Sequence, residues 1–215
     1  MVQKQTVKLK NMKKNLLMAL AFAGLATSLH ANTVTFDSTV WGTSGDLGVS
    51  SQTFSSGGVN LNISTTTSAA GGPTSTAHLY AKNGGGDETG LGVTPAAEFE
   101  INPTIGLTIL VPSGGLLSLT LGSVQSGEAA TVFWGTSFGA TTFGFPLVTA
   151  NGPVNVSSVP AGDYITIYGS GIGGQNVLLD TVVANGPSVP DGGTTLAMLG
   201  GALTVLGLVR RKLVA

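Results

Sequence analysis

The chain has 215 residues, enough for one ordinary domain plus targeting segments. Only 9% of the residues are charged and none is cysteine, which excludes disulfides, thiolate catalysis and cysteine-ligated zinc or iron–sulfur centres. The formal net charge of −1 conceals a segregation: residues 32–189 hold Lys82 as their single base against nine acids, a formal charge near −8. Such an acidic surface repels phosphate backbones, so nucleic acid is excluded as a partner.

At the N-terminus, Lys13 and Lys14 precede an uncharged apolar run, Leu16–Leu29, which closes on Ser28-Leu29-His30-Ala31. A basic segment, a short apolar core and a small closing residue predict a secretory signal peptide over residues 1–31, read by Sec-type export machinery. The run is shorter than the roughly 20 residues of a membrane span, which disfavours the alternative of an uncleaved anchor. Cleavage is expected after Ala31, with Ser28 as the alternative because Ala26 then stands third before the cut. Met12 is a candidate start that would place Lys13 and Lys14 directly at the N-terminus.

Residues 32–183 read as the exported domain. Apolar side chains alternate with polar ones in Thr33–Phe36, Val59–Ile63, Glu98–Ile101, Leu117–Leu121, Val154–Val156 and Tyr164–Tyr168. A period of two puts one set of side chains on each face of a half-buried strand, and Gly, Pro, Asn and Ser punctuate the runs. No helical stripe of useful length competes. The pattern predicts an all-β domain, a single antiparallel sandwich of nine to eleven strands with a jelly-roll-like form. The Ser/Thr-rich stretch from Ser64 to Thr76 reads as a surface loop, and residues 184–193 as a linker.

Few side chains in this domain suggest chemistry. The cluster from Lys82 to Gly90 lacks the ending and following helix of a phosphate loop. It reads as a solvated hairpin turn, with calcium at Asp87 and Glu88 as the alternative. Glu98 and Glu100 would stand about 7 Å apart on one strand face, a spacing that a glycosidase can use but that more simply makes an exposed polar face. His78 is expected in a strand as a packed or surface imidazole. Trp41 and Trp134, with Phe133 and Phe138, are candidate sugar-stacking aromatics that read more simply as core. Two Asn-X-Ser matches, at Asn62 and Asn155, are treated as chance. No catalytic, cofactor-binding or metal-binding residue is assigned.

The C-terminus is the most specific segment. Val189-Pro190-Asp191-Gly192-Gly193 is followed by Thr194-Thr195, the uncharged stretch Leu196–Val209, and the bases Arg210, Arg211 and Lys212. Pro190 and the glycine pair break regular structure and leave the backbone accessible. The apolar stretch predicts a membrane helix within residues 194–215, and the basic cluster stops transfer and stays cytoplasmic. This order of motif, helix and basic cluster resembles the PEP-CTERM class of sorting tails, most closely its VPDSG variant, with Gly192 in place of the serine. The resemblance implies an integral-membrane exosortase that recognises the tail and cuts near the motif. The segment Gly90–Val93, followed by an acidic run, the run Leu116–Val124 and Gly162–Ile167, is also similar to a pattern in exported domains that carry such tails: a turn, an acidic strand and two sheet runs.

The expected protein is therefore an exported, non-catalytic surface or extracellular-matrix component. Its precursor sits in the inner membrane and its mature form lies at the cell surface, in the outer envelope or outside the cell. Expected partners are the exosortase-like protease, the export machinery, the membrane and extracellular polysaccharide. The alternatives are a carbohydrate- or calcium-binding module and, less favoured, a surface hydrolase.

Overall fold

The computed structural model describes residues 30–37, 44–67, 76–171 and 176–186 of the chain. The signal run, Trp41, the centre of the Ser/Thr-rich stretch and the whole sorting tail lie outside the described residues, as does the predicted membrane helix. Among the described residues no helix is long and apolar enough to cross a membrane.

Two antiparallel sheets make up the domain. One contains β1 (Ala31–Thr35), β2 (Gly45–Asp46), β5 (His78–Asn83), β6 (Thr89–Thr94), β8 (Leu116–Gly122), β11 (Gly152–Asn155) and β13 (Leu178–Asn185). Its order is β11-β8-β13-β6-β5-β2, with β1 also paired to β13. The other contains β3 (Ser51–Ser56), β4 (Val59–Thr67), β7 (Ile105–Leu110), β9 (Glu128–Gly135), β10 (Phe143–Gly144) and β12 (Tyr164–Gly171), in the order β10-β9-β12-β7-β4-β3.

The alternation read from the sequence decides which side chains face in. Leu61 and Ile63 of β4, Leu107 and Ile109 of β7, and Ile165 and Ile167 of β12 are fully buried, as are Leu119 and Leu121 of β8 and Val182 and Ala184 of β13. They join one continuous core drawn from both sheets, so the two sheets form a sandwich. Each such Leu or Ile contributes about 1.5–3 kcal/mol of transfer free energy, which is how a chain without cysteine holds its fold.

Five expectations are corrected. Thirteen strands are present among the described residues, two of them only two residues long. Ser64–Thr67 belongs to β4 rather than to a loop, and Ser64, Thr65 and Thr66 are buried; the hydroxyl of Thr65 bonds the carbonyl of Ala77, 3.0 Å away. Gly90–Val93 lies in β6 rather than in a turn. Glu98–Ile101 is not a strand: Ala97–Phe99 forms a 3-10 turn in which Glu98 and Phe99 adopt positive φ. Strand β13 also runs through Asn185, so the sheet extends two residues into the segment read as a linker.

The 3-10 turn lies on β6 because Gly92 has no side chain. A Cβ at Gly92 would stand 2.0 Å from the Phe99 carbonyl oxygen. With the turn seated there, the Phe99 ring stacks on Tyr80 at 4.2 Å, and Ile101 bridges to Val177 beside β13.

The core makes a direct prediction. Ile165→Ala, at a fully buried site, should cost about 2–5 kcal/mol. Thr53→Ala, on the exposed face of β3, should stay within about 0.5 kcal/mol. Denaturant unfolding of the two variants against the natural chain measures the difference, and equal effects would contradict the assigned facing of these strands.

Candidate functional site

The densest polar arrangement in the domain surrounds its one cation. Lys82 lies near the end of β5, opposite Gly90 of β6. The connection between these strands is the tight turn Gly86–Glu88, closed by a bond from the Gly84 amide to the Glu88 carbonyl at 2.8 Å. The cluster from Lys82 to Gly90 is thus a hairpin connection, as expected, but its charged side chains are not free in solvent. Lys82 Nζ donates to Glu88 Oε2 at 2.5 Å and also to Glu100 Oε1. Ser123 Oγ lies 2.9 Å from Glu88 Oε1 and 2.9 Å from Glu100 Oε1. Gln125 Nε2 donates to Glu88 Oε1 at 2.8 Å.

Backbone geometry brings these groups together. Positive φ at Glu98 (58°) and Phe99 (61°) rotates the chain out of strand alternation, so Glu98 stays exposed while Glu100 turns inward. Ser123, just past the end of β8, has a φ of 59°. Residues with side chains occupy this region at a cost of about 1–3 kcal/mol each, and they persist only where surrounding contacts hold them. Two of the three lead directly into Glu100 and the third is Ser123 itself.

The side chains differ in exposure: 1% for Glu100, 16% for Lys82 and 32% for Glu88. Burial pushes the Glu100 carboxyl above its usual range, against the pull of Lys82. The Lys82 hydrogen bond holds Glu88 down to about 2. Burial lowers the Lys82 ammonium, but its bonds to Glu100 and Glu88 outweigh this and raise it.

Beside the hairpin lies a cleft of about 580 Å³ lined by Asp37, Asp87, Asp180, Asn83, Asn151 and Thr120 among others. Partial burial and then the charge of Asp37 raise the Asp180 carboxyl. Among the described residues, no group of three or more His, Cys, Asp or Glu side chains is placed to hold a metal ion.

The other sequence candidates are dispersed. Glu98 and Glu100 do not share a strand face and do not form a carboxylate pair. His78 sits at the surface with Nδ1 3.2 Å from the Asp46 carboxylate. Trp134 packs on the core and stacks at 4.5 Å on the exposed Phe143, while Phe138 meets Tyr164 edge-on. Trp41 lies outside the described residues.

The two ends of the described domain adjoin. The Gly186 amide donates to the His30 carbonyl at 2.8 Å, and Ala31 stands opposite Asn185 in the β1–β13 ladder. Ala31, the expected cleavage residue, is therefore the first residue of β1. Val189 follows Gly186 by three residues, at most about 10 Å of extended chain.

Residues 188–213 match the family model of the VPDSG-CTERM motif. The tail is a VPDSG-CTERM sorting signal. No curated protein and no solved structure matches the chain. A VPDSG-CTERM signal implies processing by an exosortase-type membrane protein and export to the cell envelope or surface. Val189–Gly193 and Arg210–Lys212 fall inside the matched segment and outside the described residues.

Sequence reading missed the network because Glu100 stood in an alternating run that resembled a strand. A signal was present: a lone base in a domain of nine acids has a strong claim on a carboxylate partner.

Two outcomes follow for the ionic form of this network. Lys82→Met leaves Glu100 buried without its cation and should cost about 3–5 kcal/mol, read as a lowered denaturant midpoint. With Lys82 an ammonium, Glu88 titrates at about 2 when folded and near its usual 4.5 when unfolded. Its contribution is therefore present above about pH 4.5 and lost as pH falls toward 2. Glu88→Gln should flatten that acid limb in a series of unfolding midpoints; an equally steep limb would contradict the Lys82–Glu88 assignment.

Proposed function

We propose that this chain is the precursor of a non-catalytic β-sandwich protein that serves the architecture of the cell surface or extracellular matrix. The observation that carries the reading is the VPDSG-CTERM match over residues 188–213, with motif, apolar stretch and basic cluster in order. The signal run starts export, the tail holds the precursor in the membrane, and an exosortase-type protease cuts near Pro190–Gly193. The chemistry belongs to that enzyme, and Val189–Thr195 is the segment it reads.

The non-catalytic assignment is supported by the state of the acids. Glu98 and Glu100 are turned apart, and the paired carboxylates, Glu88 and Glu100, enclose Lys82 with Glu100 almost wholly out of solvent. A hydrolase needs its acids exposed to substrate and water.

The N-terminal cut is better placed after Ser28 than after Ala31. Cleavage after Ala31 would discard the His30–Gly186 hydrogen bond and the first rung of the β1–β13 ladder; cleavage after Ser28 keeps both.

Intact-mass measurement of the exported protein tests the reading at both ends. The mature form should begin at Leu29 and end near Gly193. Deleting Val189–Thr195 should leave a species that retains Arg210–Lys212. Retention of those bases with the motif intact would reduce the tail to an ordinary anchor.

A further inference from the structure

A lysine held against a buried carboxyl can remain an ion pair, or the two can lose water and join. At Lys82 the surrounding groups supply what the second course requires. Lys82 Nζ contacts Glu88 and Glu100 together, and Ser123 Oγ stands 2.9 Å from an oxygen of each. A serine hydroxyl has one proton and donates to one acceptor at a time. The second Ser123 contact is satisfied only when a carboxyl itself carries a proton. Environment decides which one does: Glu100 is buried and displaced upward, whereas Glu88 is partly solvated and held down. The cluster then presents a neutral carboxylic acid, an ammonium group and an ionised carboxylate in mutual contact.

We propose that Lys82 and Glu100 condense into an intramolecular amide, with Glu88 as the acid–base group. Glu88 takes one proton from the Lys82 ammonium, leaving a neutral amine. The amine nitrogen attacks Glu100 Cδ, and Glu100 Oε1, whose proton Ser123 Oγ accepts, is the hydroxyl that leaves. One nitrogen proton leaves with the Glu100 hydroxyl as water. The products are the secondary amide, one water molecule and a protonated Glu88, so the three protons of the ammonium and the one of the acid are all accounted for. No oxidant or co-reactant is needed. Prepositioned partners of this kind act at effective concentrations of roughly 10⁵–10⁸ M, which drives a condensation that dilute amine and acid would not complete.

The bond would tie the end of β5 to the segment that bridges Val177 at the start of β13. In a chain with no cysteine, it provides the covalent cross-brace that an extracellular domain otherwise takes from a disulfide.

The test uses the full chain, exported and then denatured. The natural protein should weigh one water less than the sequence between its mapped termini. Lys82 is the only lysine or arginine between residues 15 and 209, and an acylated lysine is not a trypsin site. Denatured natural protein should therefore stay whole through the domain, while Lys82→Arg should be cut in two and show no water loss. Glu88→Gln keeps both partners but removes the base, and should accumulate the uncondensed mass. Peptides from a second protease should place the link on Glu100. Full sequence mass together with tryptic cleavage at Lys82 in the natural protein would overturn the proposal, even if every variant failed to fold. A link on Glu88, or undiminished condensation in Glu88→Gln, would overturn the roles assigned here. Condensation also consumes the ammonium that holds Glu88 down, so the steep acid limb belongs to the uncondensed chain alone.

Discussion

Strand β13 is the element on which the sandwich depends. Along one edge it pairs with β8 from Leu178 to Ala184. Along the other it meets β6 at Leu179 and then β1 from Thr181 to Asn185. The irregularity between Leu179 and Thr181 lets one strand serve two partners, and the Asp180 carbonyl there accepts from the Phe36 amide at 2.8 Å. Without β13, the seven-stranded sheet separates into β11–β8, β6–β5–β2 and an unpaired β1. The closing strand is also the last one before the sorting motif, and its ladder to β1 joins the ends of the described domain. Loop-closure entropy makes such distant pairings late and slow. The domain therefore cannot close its sheet until residue 185 is available alongside residue 31.

The same sheet explains why a single lysine matters. A β-sandwich buries alternate side chains and leaves little room for charge inside, because an unpaired buried ion is costly. Glu100 is the exception, and it is accepted because three groups converge on it: Lys82 from β5, Ser123 past β8, and Glu88 from the intervening hairpin. Glu88 and Ser123 arrive through irregular backbone, and Lys82 from near the end of a strand. The positive φ of Glu98, Phe99 and Ser123 marks where regular pairing yields to this convergence, which is where strain is expected in a native structure.

Much of the architecture was legible because burial follows a period of two. Leu117–Leu121 and Tyr164–Tyr168 fall within β8 and β12, and the absence of a helical stripe agrees with the described residues. Two failures have one origin. In Glu98–Ile101 the alternation was present, but Gly92 allows the chain to fold back across β6, a contact no local pattern reports. In Ser64–Thr67 small polar residues resembled a loop, yet inside the sheet the Ser64 hydroxyl bonds Ser51 Oγ and the Thr65 hydroxyl bonds the Ala77 carbonyl. Composition registers polarity, not whether a partner exists. The tail was legible for the opposite reason: its parts act in linear order, so no tertiary contact is needed to recognise them.

That linear order meets the folded domain at one place. The last rung of the β1–β13 ladder sets Asn185 opposite Ala31, and the next amide, that of Gly186, bonds the His30 carbonyl. Three residues later the motif starts. A cut within Pro190–Gly193 leaves every hydrogen bond among the described residues intact. A cut at Asn185, five residues before Pro190, would enter the rungs that pair β13 with β1. The last strand ends at Asn185 and the matched tail begins at residue 188, so the two follow each other in the chain and share no residue.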